Sequence, residues 1–421
     1  MPPTEPAQVG NDLPTEPHER PWLFGFLIAP MAVLSNGLIG GALAYLLRNQ
    51  GVSPAREGSI LALLNLPQTI YFLWSPVTDF WMRRRTWLMV AATAAAAIML
   101  AAFRQPHLAS SRAVELMFLS ACCGQLIVAG CGGMLGMLKS EASRRRAGSF
   151  YQGGSLAFGA LAVFVLVSLA ERLRLNELGW IAAAMIALPA LAALAVPEER
   201  RAETEGANET LKRIWREFKG TFVRWQAIPY TLAITFPMGS GALIGLLPGL
   251  AADYRMSGQQ VAWINGLGGA LLMAAGALSA SLISTRVRAP VAYLMVCLTN
   301  AFSTAVLWLG PQRPDVYAIG VVLFLFTVGA AYALFTAVVL EFLGNSGKSG
   351  SSRYAIINSL GNFPVAYMSF LDGRAYAHWG PRGMPGADAL LSMAGATLLL
   401  AHFLSSGRRR RTRTLSDPVL G

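Results

Sequence analysis

Twelve apolar stretches, each about as long as a lipid bilayer is thick, constrain this chain more than any other feature. A helix needs about 20 residues to cross a hydrocarbon layer of roughly 30 Å. Uninterrupted apolar stretches run over residues 22–47, 57–75, 86–103, 113–138, 147–170 and 178–196. A second set covers 227–249, 258–284, 289–309, 316–343, 353–372 and 387–406. Backbone amides in lipid must be satisfied within the chain, so helices are the expected form. Composition agrees: 54% of residues are hydrophobic and only 13% charged, whereas soluble domains carry roughly 25% charged residues. An ordinary soluble globule and a disordered chain are both excluded.

The formal charge of +12 then has to be placed. Threading the chain through twelve spans with the N-terminus inside puts 24 of the 34 Lys and Arg residues on one side and 10 on the other. Basic residues favour the cytoplasmic side, so both termini are expected there. The polar, proline-rich residues 1–21 have no apolar core and read as a disordered cytoplasmic lead-in, not a cleaved signal peptide. Cys122, Cys123, Cys131 and Cys297 lie in apolar stretches without metal-ligand spacing and read as small buried hydrophobes.

The spans fall into two related groups of six. Ser35-Asn36-Gly37-Leu38-Ile39-Gly40 in span one corresponds to Ser240-Gly241-Ala242-Leu243-Ile244-Gly245 in span seven, 205 residues later. Span five opens Arg146…Gly154 and span eleven Arg353…Gly361, an offset of 207. Two matches at nearly one offset argue for duplicated halves. The expected organisation is therefore an all-α membrane protein of two pseudo-symmetric six-helix bundles, residues 22–196 and 227–406. A linker at 197–226 joins them and a basic cytoplasmic tail follows at 407–421. In the linker, Leu211, Ile214, Trp215, Phe218, Phe222 and Trp225 recur at helical spacing among Lys and Arg. That pattern suits a helix lying on an anionic leaflet, or equally one packed on the bundle.

After span two the chain reads Trp74-Ser75-Pro76-Val77-Thr78-Asp79-Phe80-Trp81-Met82-Arg83-Arg84-Arg85. An acid followed four to six residues later by arginines closes a tight loop between helices and anchors it at the phosphate level. This spacing resembles the loop between helices two and three of the major facilitator superfamily, G-x-L-x-D-R-x-G-R-R. The acid and terminal arginines are kept and the glycines are not. Gly51-Val52-Ser53, Leu66-Pro67 and Phe72-Leu73-Trp74-Ser75-Pro76 with Asp79 further resemble the AmpG-type muropeptide permeases, grouped with acetyl-coenzyme A transporters. That resemblance implies the major facilitator fold and a solute carrier, with proton-driven uptake of cell-wall fragments in the muropeptide branch. Two family positions differ. Tyr71 replaces a lysine, and Gln125-Leu126-Ile127-Val128-Ala129-Gly130 replaces a stretch bearing acids.

No Asp, Glu, Lys, Arg or His occupies the middle of any span. Glu57, Glu115 and Asp372 lie toward the outside, Asp79 and Glu341 toward the cytoplasm. Mid-span polar groups are instead neutral, and the candidate cavity residues are Asn36, Gln68, Tyr71, Gln125, Tyr151, Gln152, Trp263, Asn265, Tyr332, Asn358 and Asn362, with Asn65 beside them. Amides and aromatic rings offer hydrogen bonds and a stacking face to a hydroxyl-rich or amide-bearing solute without charge. Asp79, Arg83, Arg84, Arg85, Arg144, Arg145 and Arg146 form the candidate cytoplasmic gate. Glu341 and Glu115 are the candidate proton-coupling acids, Glu341 serving equally well as a gate salt-bridge partner. Pro364, after Asn362 and Phe363, is expected to kink span eleven.

Three motifs carry no chemistry in this setting. Gly344-Asn345-Ser346-Gly347-Lys348-Ser349 lacks P-loop spacing, and Asn208-Glu209-Thr210 lies on the basic side. Arg408 to Arg411 and Arg413 follow a last span as a membrane anchor. The expectation is a non-enzymatic, cofactor-free, metal-free monomer of the inner membrane that moves a small molecule by alternating access. Its partners are a solute, anionic lipids and protons, with no nucleic acid. A non-transporting sensor of the same fold and a carrier of acyl-coenzyme A-type cargo are the alternatives.

Overall fold

A computed structural model describes residues 20–74, 77–78, 82–136, 138, 141–196, 209, 212, 215–216, 219, 228–284, 286–343, 356–357 and 359–416. Every regular element among the described residues is a helix, without a strand. The first half holds α1 (Leu23–Asn49), α2 (Pro54–Thr69, continued by Tyr71–Trp74), α3 (Arg84–Phe103), α4 (Ser111–Gly136), α5 (Glu141–Leu169) and α6 (Leu175–Ala195). The second holds α7 (Ile228–Thr235, then short turns from Ala242 to Tyr254), α8 (258–284), α9 (Ala289–Leu309), α10 (Pro314–Leu343), α11 (Phe363–Trp379) and α12 (Gly383–Ser416). Among the described residues, nine helical stretches are long and apolar enough to cross a membrane, the stretch Phe363–Ser405 containing both α11 and α12. With α2 and the broken α7 the count is twelve. Most of the linker at 197–226 and the loop at 344–349 fall outside the described residues.

The two halves meet through α2 against α11 and α5 against α8. Under an offset of six helices these two pairs exchange, which is the contact pattern a twofold-related duplication produces. Between α2 and α11 the backbones themselves touch. A Cβ on Gly373 would lie 2.6 Å from the Pro54 carbonyl and 3.1 Å from Gly58 Cα. Small residues permit such contact, and in lipid this dispersion contact replaces the hydrophobic drive.

The apolar core is asymmetric along the membrane normal. At the end where α1 runs into α2, one continuous core joins Leu43, Leu46, Leu61 and Val163 of the first half to Leu247, Leu250, Tyr254 and Phe324 of the second. At the opposite end the cores are separate. Phe24, Ile28, Leu88 and Met134 belong to one, and Met238, Tyr293, Leu334 and Leu399 to the other. The two halves are thus joined at one end and individually packed at the other.

Four of the twelve spans are interrupted or lose regular α-winding. α1 is π-wound over Ala32–Ala42, and α8 over Ala262–Leu267, where Gly266 leaves helical geometry (φ −90°, ψ −111°). α7 stops after Thr235 at Pro237. Gly239 (φ 64°) and Gly241 (φ 70°) then turn the chain through left-handed geometry that residues with a Cβ avoid. α11 begins anew at Phe363 after a turn at Gly361 and Asn362. The proline at 364 therefore sits in the first helical turn, where no backbone N–H is lost. It follows a break in place of kinking a continuous helix, so the expected kink resolves into a restart.

Candidate functional site

These irregular stretches converge. A cavity of about 200 Å³ lies between the halves. From the first half come Ser35, Asn36, Gly40, Asn65, Gln68 and Ser155; from the second come Gly241, Gly245, Asn265, Tyr332, Asn362 and Ser369. The repeated segments of spans one and seven meet here, since a Cβ on Gly245 would lie 3.7 Å from the Gly40 carbonyl oxygen. Irregular winding serves this purpose: π turns, glycine turns and helix restarts direct polar side chains and backbone groups into a space a regular helix would wall off.

Most of the lining amides are held in place. Asn36 Nδ2 donates to Ser155 Oγ (3.0 Å), joining α1 to α5. Asn65 Nδ2 donates to the Leu61 carbonyl (2.9 Å), and Gln68 Nε2 to Asn65 Oδ1 (2.8 Å). Asn265 Nδ2 donates to the Tyr317 hydroxyl (2.9 Å), which donates to the Leu247 carbonyl (2.8 Å). Tyr332 donates to the Ser240 carbonyl (2.7 Å) at the α7 turn. Asn36 is exposed although Leu34 and Leu38 beside it are fully buried. Among the described residues, no Asp, Glu, Lys, Arg or His lines the cavity.

Five residues expected from sequence (Asn36, Gln68, Asn265, Tyr332 and Asn362) are brought together here, with Asn65. Tyr71, Gln125, Tyr151, Gln152 and Trp263 stand outside the lining. Gln125 is buried within α4, and Tyr151 packs on the Phe24–Ile28 core. Gln152 is exposed on α5. Trp263 packs edge-on against Phe164, ring centres 5.0 Å apart, across the α5–α8 contact. Asn358 is outside the described residues. Sequence reasoning passed over Ser35, Ser155 and Ser369, because a serine in an apolar helix carries little signal.

Of the basic-end residues, Arg84 Nη1 donates to the Gly133 carbonyl (2.8 Å) and Arg85 Nη1 to the Val196 carbonyl (3.0 Å). These bonds tie α3 to α4 and to the end of α6, within one half. Arg83 and Arg146 are exposed. Asp79 and the side chains of Arg144, Arg145 and Glu341 are outside the described residues. Glu115 is exposed on α4 and takes no part in the cavity.

The opposite end holds a constellation that sequence reasoning did not assemble. Arg48, at the end of α1, donates from Nη2 to Asp253 Oδ2 (3.0 Å) and to the Tyr376 hydroxyl (2.9 Å). Its Nε donates to the Gly249 carbonyl (3.3 Å). Tyr376 donates in turn to Asp253 Oδ1 (2.8 Å) and stacks under the guanidinium at 4.8 Å. All three partners belong to the second half. Glu57 of α2 lies 3.6 Å from Arg48 Nε. Tyr45 donates to Glu171 (2.7 Å) beside Gly258 of α8. One end of the cavity is thereby sealed by hydrogen bonds over the joint core.

The family model described as Major Facilitator Superfamily matches residues 25–366. The chain belongs to the Major Facilitator Superfamily. It is a multi-pass membrane protein of a transporter family, with the superfamily's all-helical fold. No curated protein matches the chain. Solved structures of similar fold include the nucleoside transporter NupG (12% identity, 91% of this chain and 98% of that chain, TM-score 0.69). A D-xylose-proton symporter (15%, 90% and 95%, 0.67) is also similar. So is a variant of the peptide transporter POT in complex with sulfate (11%, 92% and 95%, 0.70). At these identities the likeness is one of fold.

Proposed function

We propose that this chain carries a small, uncharged polar solute across the inner membrane by alternating access. The observation that supports it most is the cavity between the halves, rich in amides and hydroxyls and free of charge among its described lining residues. Such a lining offers acceptors and donors to hydroxyl or amide groups. An ionic solute would need a counter-charge, because an unpaired buried charge is costly. Cargo with phosphate groups, such as an acyl-coenzyme A ester, therefore fits poorly. D-xylose, named for one structural neighbour, has the chemistry this lining suits, and so does a cell-wall sugar.

The positive-inside count supports a cytoplasmic position for the Arg83–Arg85 end and an external one for the Arg48 end. The conformation with a joint core at the Arg48 end is then the one closed to the outside. In the opposite state, Asp79 and the arginines at 83–85 and 144–146 would close the cytoplasmic end. The halves would part where Arg48 now meets Asp253. A sensor that has lost transport would keep the fold, but it has no need of a solvent-reached polar cavity.

Uptake into proteoliposomes tests the reading, with a panel of radiolabelled pentoses, hexoses, amino sugars, nucleosides and muropeptides. Saturable uptake of an uncharged member is expected. Uptake confined to charged solutes, or none across the panel, would overturn it.

A further inference from the structure

We propose that Glu57 binds a proton as the halves close at the Arg48 end and releases it as they part, so that closure of that end is tied to proton uptake. The inference deepens the carrier reading by naming a group that makes this gate pH-dependent, and it rests on geometry at the joint between the halves.

The cluster holds one fixed cation, Arg48, and two carboxyl groups, Glu57 and Asp253, that compete for it. Asp253 receives two hydrogen bonds, from Arg48 Nη2 (3.0 Å) and from Tyr376 (2.8 Å). Glu57 receives none among the described residues, and both its oxygens are buried. Its closest cationic atom, Arg48 Nε, is 3.6 Å away and is directed at the Gly249 carbonyl. Hydrogen bonds to a carboxylate favour its charged form, and burial without them disfavours it. The arginine is thus matched to Asp253, and Glu57 is left as the group that must be neutral.

Closure itself creates this condition. Glu57 is 1% exposed, and what covers it includes the backbone of the opposite half. A Cβ on Gly249 would stand 2.5 Å from Glu57 Oε1. Parting the halves removes Gly249, frees Arg48 from Asp253 and admits water to the carboxyl group. The proton then leaves to the solvent, and the carboxylate is free to pair with Arg48 on its own half. Glu57 lies in the first turn of α2, where the helix dipole favours an anion only modestly. Burial of an unpaired carboxylate costs several times more.

Other ionisable groups on the packed elements do not offer Glu57 a second cation. Arg56, its neighbour, is exposed, as are Arg112 and Glu115 of α4. On α11, Arg374 and His378 are exposed and Asp372 is buried without a hydrogen-bond partner among the described residues. Tyr45 of α1 is engaged by Glu171.

The test uses the full chain in lipid nanodiscs, in a cysteine-free background, with spin labels at Ser53→Cys and Gln259→Cys. These exposed positions lie on opposite halves at the Arg48 end. In the parent protein, raising the pH is expected to convert the short inter-label distance into a long one. Glu57→Gln is expected to hold the short distance at every pH, whereas Glu57→Asp keeps the response. A Glu57→Gln protein that follows the parental pH curve, or a parent without pH response, overturns the proposal. Should Glu57→Gln fail to reach the membrane, cross-linking the two cysteines in otherwise intact protein provides the second measurement. Closure is then expected to take up about one proton per chain from a weakly buffered medium, and none overturns the proposal. Neither readout needs a solute, so failure of the carrier reading and failure of this one are distinguishable.

Discussion

Arg48 and Asp253 are 205 residues apart in sequence and 3.0 Å apart in space, one on each half of the molecule. With Tyr376 bonded to both, they form the polar lock over a core shared by the two halves. Charge-assisted bonds of this kind contribute about 1.5–3 kcal/mol, and partial exposure (18% and 23%) places this pair at the lower end. Asp253→Asn is therefore expected to shift the closed–open balance toward open about tenfold. Labelling of a cysteine at Ser369 by a membrane-impermeant thiol reagent measures it, and the rate should rise. The exchanged pair Arg48→Asp with Asp253→Arg should recover part of the closed population; non-recovery would mean that the two groups act separately.

The α2–α11 contact gives a steric counterpart. Gly58 and Gly373 let two backbones touch, so Gly373→Leu should wedge the halves apart at this end. Inserted protein with normal helicity but transport reduced at least tenfold is the expected result, read by uptake and circular dichroism. Gly373→Ala should give an intermediate loss.

Within the cavity, the Gln68 side-chain amide donates to Asn65 and, among the described residues, to no group of the other half. Gln68→Ala should therefore leave thermal stability nearly unchanged while weakening solute affinity by about one hydrogen bond, roughly three- to tenfold. Asn36→Ala should differ, because it also breaks the bond to Ser155 that joins α1 to α5. Paired KM and thermal-melting measurements separate the two behaviours.

Gly241 turns the chain at φ 70° beneath the hydroxyl of Tyr332, which a Cβ there would meet at 2.5 Å. Gly241→Ala is expected to cost about 1–2 kcal/mol from left-handed strain alone. It should lower the melting temperature and displace Tyr332 from Ser240; Tyr332→Phe should then cost less stability in the Gly241→Ala background than in the parent, which paired thermal melts check.

The twelve spans were legible because lipid imposes a length and polarity rule that each stretch must obey separately. Helix ends at Asn49, Phe103 and Leu309 fall where apolar runs stop. The cavity was half legible. Asn36, Gln68, Asn265, Tyr332 and Asn362 stand out as polar groups among apolar neighbours, but which face they share depends on helix irregularities. The π turns of α1 and α8 shift residues off a 3.6-residue face, so Trp263 lands on the α5–α8 seam and Asn265 in the cavity. The Arg48 cluster was not legible at all. Its members come from four segments, separated by 201 to 328 residues from Arg48 on the far half. In sequence Arg48 reads as one of ten loop bases and Glu57 as a peripheral acid. Only assembly of the halves reveals that two carboxyl groups compete for one arginine.

Alternating access is tested by uptake of uncharged polar solutes into proteoliposomes before and after the Arg48 end is locked by a Ser53→Cys–Gln259→Cys cross-link. Saturable uptake of at least one such solute is expected, abolished by the cross-link and restored by reduction. Uptake that survives the cross-link, or transport of charged solutes alone, would contradict it.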